Sequence, residues 1–138
     1  MMHLEHLNLV VRDIDKALAF YGAAFPHWQV RGGGRQNWYG TERNWLHFGD
    51  DYHYLALNDS GTGENRDLSS NQVGLAHFAF VTDNLDALIS RMHAAGFEPS
   101  KGAQSTYRSN AYFIDADGFE VEFVQYHSDL PSQRNHYE

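Results

Sequence analysis

The sequence predicts an α+β fold built from two βαβββ modules, and three observations carry the prediction. A strand-like segment followed by a capped amphipathic helix occurs twice, the two occurrences align without a gap at an offset of 71 residues, and a polar stretch separates them. At that offset His6 falls on His77, Asp13 on Asn84, Ile14 on Leu85, Leu18 on Ile89, Tyr21 on Met92 and Ala24 on Ala95. The competing explanation is that any two amphipathic helices can be aligned. Strand, cap and stripe staying in register together favour a repeat.

Leu4 to Val11 reads as the first strand, and Asp13 stands where a helix N-cap belongs. Ile14, Ala17, Leu18, Tyr21, Ala24 and Phe25 then form one apolar helical stripe, which Pro26 stops. Strand character follows around Trp28–Arg31, Asn44–Phe48 and His53–Asn58. From Asp59 to Asn71 the composition turns to Ser, Gly, Asn, Asp and Thr, the signature of a loop or linker. Gly74 to Thr82 reads as the strand that opens the second half. Asn84 is its helix cap, Leu85, Leu88, Ile89, Met92 and Ala95 its stripe, and Gly96 the stop. Asp117-Gly118 marks a hairpin turn before a last strand, Phe119–Val124. The expected organisation is one domain over 1–138: a module over 1–58, a linker over 59–73, a module over 74–126 and a tail over 127–138 without clear secondary structure.

The 138 residues carry 10 basic and 18 acidic side chains, a formal charge of −8. There is no basic run to follow a phosphate backbone, so nucleic acid is not an expected partner. No apolar run approaches the roughly 18 residues of a membrane span, and the N-terminus lacks the order of a signal peptide, which makes a cytoplasmic location the expectation. With no Cys, any metal must be held by nitrogen and oxygen. Nine His supply the nitrogen.

Strand alternation sorts these side chains. His6, Asn8 and Val10 share the face turned away from the first helix; His77, Ala79 and Val81 share the corresponding face of the second half. In the last strand Val121 and Phe123 belong to the helix side, which puts Glu120 and Glu122 on the histidine face. Glu122 there is either a solvated sheet residue or the oxygen partner of two imidazoles, a set suited to Fe(II), Mn, Ni, Co or Zn. Each half leaves a sheet face that its helix cannot cover, so packing between halves or with a second chain is expected, with a homodimer the natural solution.

The segments Glu5–Val11 leading to Asp13 and Ala19-Phe20-Tyr21, Gly74–Phe80, and Tyr112–Gly118 followed by Val121-Glu122-Phe123 resemble the vicinal oxygen chelate (VOC) superfamily, across nearly all of residues 4–126. That superfamily holds glyoxalase I, extradiol dioxygenases, fosfomycin-resistance transferases, methylmalonyl-CoA epimerase and bleomycin-resistance proteins. The resemblance implies a glyoxalase-like fold, with paired modules forming a curled mixed sheet around a central cleft. It implies one divalent metal per site on His6, His77 and Glu122, and a homodimer in which modules of different chains are able to complete each site. The chemistry implied is chelation of adjacent oxygens of a small-molecule substrate, with Glu122 and Tyr112 as catalytic residues and Asn8, His53, Tyr107, Arg108 and Asn110 as substrate contacts.

Departures from particular branches narrow the reading. Bacterial glyoxalase I resembles this chain but adds a fourth ligand, a Glu near the end of the first module. The repeat places Leu55 opposite Glu122, with His53 on the same face, so a fourth ligand is absent or is His53. Extradiol dioxygenases place a catalytic His shortly before the Tyr at position 112, and residues 101–111 contain none. Fosfomycin-type enzymes carry a Thr where Asn8 stands, and Lys101–Asn110 does not reproduce their phosphonate-binding segment. The expected activity is therefore a metal-dependent lyase or isomerase of glyoxalase-like type. The alternatives are an extradiol-type dioxygenase and a metal-free drug- or metabolite-binding protein of bleomycin-resistance type. His47 joins His53 in reserve as a ligand; His3, His27, His93, His127 and His136 are expected in solvent.

Overall fold

The structure, a computed structural model, describes residues 1–137. It falls into two compact units, Met1–Gly63 and Glu64–Glu138. The first contains β1 (His6–Val10), α1 (Ile14–Ala24), β2 (Gln29–Trp38), β3 (Thr41–Gly49) and β4 (Tyr54–Asn58). The second contains β5 (Phe78–Val81), α2 (Leu85–Ala94), β6 (Lys101–Gln104), β7 (Arg108–Ile114), β8 (Glu120–Tyr126) and a short α3 (Pro131–Arg134). Each forms a four-stranded mixed sheet of the same topology, β1-β4-β3-β2 and β5-β8-β7-β6. In both, the strand before the helix pairs in parallel with the last strand of the unit, and the remaining neighbours are antiparallel.

Both helices begin on the side chains their sequences offer. Asp13 Oδ1 accepts from the Lys16 N–H at 3.2 Å, and Asn84 Oδ1 from the Ala87 N–H at 3.0 Å. The stripes bury Ala17, Phe20, Tyr21 and Ala24 in α1 and Leu85, Leu88 and Met92 in α2. Against them stand Leu9, Val11, Leu55 and Leu57 in the first unit and Phe78, Phe113, Val121 and Phe123 in the second, all buried. Alternation then leaves His6, Asn8 and Val10 exposed, and likewise Ala79 and Val81.

The largest difference from expectation is the β2–β3 hairpin, which extends well beyond Trp28–Arg31 and Asn44–Phe48. The strand runs through Gly32-Gly33-Gly34, and at Gly33 and Gly34 β3 occupies the space a side chain would need. A Cβ on Gly33 would lie 2.5 Å from the Trp45 carbonyl oxygen, and one on Gly34 3.3 Å from Trp45 Nε1. The hairpin closes on Tyr39-Gly40, with φ of 52° and 84°, the left-handed pair that a two-residue loop requires. Gly49 is under a similar constraint: a Cβ there would meet the His53 carbonyl oxygen at 2.0 Å and Tyr54 Cα at 2.5 Å. Since both are backbone atoms, Gly49→Ala is expected to cost about 1–3 kcal/mol, read as a lower urea midpoint at unchanged slope.

The polar stretch after Asp59 is tied down within the second unit from Glu64 onward. Arg66 Nε donates to the Gln72 carbonyl at 2.8 Å, and Asn65 Nδ2 to the Gly118 carbonyl at 2.9 Å. The tail, whose sequence shows no clear secondary structure, forms α3 and returns to its own sheet: the Arg134 guanidinium lies 4.0 Å from the centre of the Tyr126 ring. No helix among the described residues is long and apolar enough to cross a membrane.

Candidate functional site

In the second unit, His77 immediately precedes β5, and Glu120 and Glu122 alternate with buried Val121 and Phe123 along β8. The pleat turns the two carboxylates toward the histidine. Glu122 Oε1 lies 3.3 Å from His77 Nε2, and its Oε2 accepts from Asn110 Nδ2 at 3.0 Å. Asn110 is itself fixed, because its Oδ1 accepts the Ala103 N–H at 2.9 Å. Tyr112, directly opposite Glu122 in the β7–β8 register, also hydrogen-bonds that carboxylate. Burial, and then the negative charge of Glu122, raise the Tyr112 pKa above the ordinary phenol value, so its hydroxyl remains a donor at neutral pH. Glu120 Oε1 stands 3.8 Å from His77 Nδ1 and 3.6 Å from Lys101 Nζ, while Lys101 lies over the Tyr112 ring at 4.6 Å.

The first unit presents a different face. His6 Nδ1 meets Glu5 Oε1 at 2.9 Å, which leaves Nε2 as the nitrogen available to a ligand. This contact holds the Glu5 pKa below the usual carboxylate range. The His6 ring stacks on Tyr54 with centroids 4.6 Å apart, and His47 stacks on the same ring at 4.3 Å. The Arg31 guanidinium lies 4.6 Å from the Tyr54 centroid. Burial first, then Arg31 and His6, lower the His47 pKa, which keeps that imidazole neutral. Asn58 Nδ2 donates to Asn8 Oδ1 at 2.5 Å.

Strand registers correct one sequence expectation. Leu7 is paired with Leu55, and Phe78, its repeat partner, with Val121. Leu55 therefore corresponds to Val121, both in the core, and Ala56 corresponds to Glu122. Placing Leu55 opposite Glu122 is one residue out, and in a strand such a slip exchanges the two faces. His53 consequently lies outside β4, exposed in the turn, where its N–H donates to Asp50 Oδ1 at 2.7 Å. The face that carries Ala56 carries His47 and Tyr54 instead. Sequence reasoning misses Tyr54 and Glu5, although a Tyr preceding an apolar Leu-Ala-Leu run on a parallel neighbour of β1 is the available signal.

Of the remaining expected contacts, Asn110 and Tyr112 join His77 and Glu122. Tyr107 and Arg108 turn toward the tail: the Tyr107 ring meets His136 edge-on at 5.5 Å, and Arg108 lies 5.7 Å from the Tyr137 ring centre. Among the described residues, no group of three or more His, Asp or Glu is gathered as a metal cage. The His77–Glu122 pair nevertheless fits part of one. Two donors bound at roughly 2.0–2.2 Å to the same ion at near-tetrahedral or right angles stand about 3.0–3.5 Å apart, and this pair stands at 3.3 Å.

The model of the Glyoxalase/Bleomycin resistance protein/Dioxygenase superfamily matches residues 3–123. The chain resembles a solved glyoxylase/bleomycin resistance protein/dioxygenase domain from Frankia sp. EAN1pec at TM-score 0.73 and 23% identity, covering 91% of this chain and 98% of that one. It resembles the fosfomycin resistance protein FosX from Listeria monocytogenes at TM-score 0.70 and 19% identity, over 97% and 98% of the two chains. A mutant of that Listeria protein, solved with Mn(II) and 1S,2S-dihydroxypropylphosphonic acid, matches at TM-score 0.64 and 20% identity, over 97% of this chain and 95% of that one. No curated protein matches. These identities establish the fold, and the match over residues 3–123 establishes the family: the chain belongs to the Glyoxalase/Bleomycin resistance protein/Dioxygenase superfamily.

Proposed function

We propose that this protein is a metal-dependent lyase or isomerase of the glyoxalase-like group, acting as a homodimer on a small molecule with adjacent oxygens. His6, His77 and Glu122 are its metal ligands. The observation that carries the reading is the Glu122 carboxylate, held on an open sheet face with one oxygen toward His77 and the other on Asn110. A carboxylate in this half-buried position is costly unless it is paired or metal-bound. The Mn(II) complex of FosX supports a hard divalent ion for such a face.

When bound, the ion supplies Lewis-acid stabilisation of negative charge developing on substrate oxygens. The protein's own residues do the rest. Asn110 and Tyr112 orient Glu122, and the protonated Tyr112 hydroxyl can donate to an oxygen that gains charge. Glu5 holds His6 by its Nδ1, which selects the nitrogen offered to the metal. Ala56, standing where the second unit has Glu122, leaves no fourth carboxylate, which sets the site apart from bacterial glyoxalase I.

A second reading, metal-free ligand binding, is favoured by one feature: both Glu122 oxygens already have partners among protein side chains. Elemental analysis of protein purified without chelator separates the two. A divalent first-row metal at close to one per chain is expected, and a metal-free protein that stays so after incubation with Mn(II), Zn(II) or Ni(II) would overturn the enzyme reading. Oxygen uptake on catechols by the Fe(II)-loaded protein would reassign it as a dioxygenase.

A further inference from the structure

The open face of the first sheet holds a cavity of about 320 Å³, at the small end of the range of roughly 300–1,000 Å³ typical of small-molecule sites. Its walls are the rings of Trp38, Trp45 and His47 and the side-chain amides of Asn8, Gln36 and Asn58. None of the described residues lining it is an acid, a lysine or an arginine. The nearby guanidinium of Arg43 lies over the Trp38 ring, 5.0 Å from its centre, and that of Arg31 is committed to Tyr54.

The internal repeat shows how the cavity arises. β3 and β4 pair as β7 and β8 do, so His47 corresponds to Tyr112, Trp45 to Asn110 and Ala56 to Glu122. Where the second sheet carries a carboxylate and the amide that holds it, the first carries a methyl group and an indole. Gly34, opposite Trp45, lets that indole lie against the β2 backbone instead of standing into the space. Ala56 forms part of the floor. The Asn58–Asn8 hydrogen bond uses one donor and one acceptor, leaving the Asn8 amide nitrogen and the Asn58 amide oxygen for an occupant.

We propose that this cavity binds the uncharged aromatic part of the substrate, an arene bearing hydroxyl or carbonyl oxygens, and that it discriminates against phosphonates and other multiply charged anions. Flat rings offer stacking area to a planar guest at little entropic cost, and paired amides read a hydroxyl or carbonyl. A phosphonate brought here would lose its hydration, while the neighbouring Arg43 guanidinium is already engaged with the Trp38 ring and no cation lines the cavity itself among the described residues. That the guest is a substrate rests on the enzyme reading above; the binding preference does not.

Calorimetric titration of EDTA-treated protein with 2-naphthol and with propylphosphonate tests the preference without the metal. Saturable binding of 2-naphthol is expected, with no binding of propylphosphonate at the same concentrations. Trp38→Ala is expected to weaken the naphthol about fivefold or more, in line with the worth of an aromatic pair, and Ala56→Leu to block it by filling the floor. Circular dichroism and thermal unfolding establish that both variants are folded. Failure of 2-naphthol to bind, binding that neither substitution alters in folded protein, or tighter binding of propylphosphonate would each overturn the proposal. Failure of the metal reading shows separately, in the elemental analysis.

Discussion

Glu122→Gln is expected to lower affinity for divalent metal by more than about 100-fold, because changes to groups that merely support a ligand already cost about 10–100-fold. The substitution keeps shape and hydrogen-bonding capacity. The amide oxygen that replaces the carboxylate can still accept from Asn110, so the thermal midpoint should stay within a few degrees of the parent. What is lost is the charge that pairs with His77 and that a cation requires. His77→Ala should lose metal equally. Isothermal titration with Mn(II) beside a thermal melt reads both outcomes. A Glu122→Gln protein that binds metal like the parent would remove Glu122 from the ligand set.

One residue further along β8 the balance reverses. Phe123 has no exposed surface, stacks near Phe80 with centroids 6.1 Å apart and meets Phe113 edge-on at 6.0 Å. Phe123→Ala deletes a ring from the centre of the second core and should destabilise the fold by about 3–5 kcal/mol, the usual cost of transfer plus cavity. The urea midpoint measures the loss. Below the transition, protein that remains folded should still bind metal, since the ring points away from the carboxylates. Adjacent residues thus separate stability from binding, which is the physical content of strand alternation at this site. A stability loss below about 1 kcal/mol would mean that Phe123 is not a core residue.

Legibility in the sequence followed the strength of local patterning. β1 from His6 to Leu9 and β8 from Glu120 to Phe123 alternate between polar and apolar residues, so the sequence alone assigns faces to His6, Asn8 and Glu122. Both helix caps were legible because Asp13 and Asn84 each stand just ahead of an apolar stripe. β4 was not legible to the residue. Its interior Leu55-Ala56-Leu57 is buried on both sides, so no polar residue there marks the faces, and a slip of one position misassigned Leu55 and His53. The hairpin of β2 and β3 was hidden by its run of three glycines, two of which, Gly33 and Gly34, make room for Trp45 across the sheet, a long-range requirement with no local signature. The tail was hidden for the same reason, since Arg134 finds Tyr126 only after the sheet exists.

A zinc-loaded crystal, with the ion located by its anomalous signal, bears most directly on the assignment of His6, His77 and Glu122 as ligands of one ion. The expected result is a principal peak within roughly 2.0–2.2 Å of a His6 nitrogen, a His77 nitrogen and a Glu122 oxygen, from one chain or from two chains of a dimer. Zinc bound elsewhere, with these three side chains on different ions or on none, would contradict it.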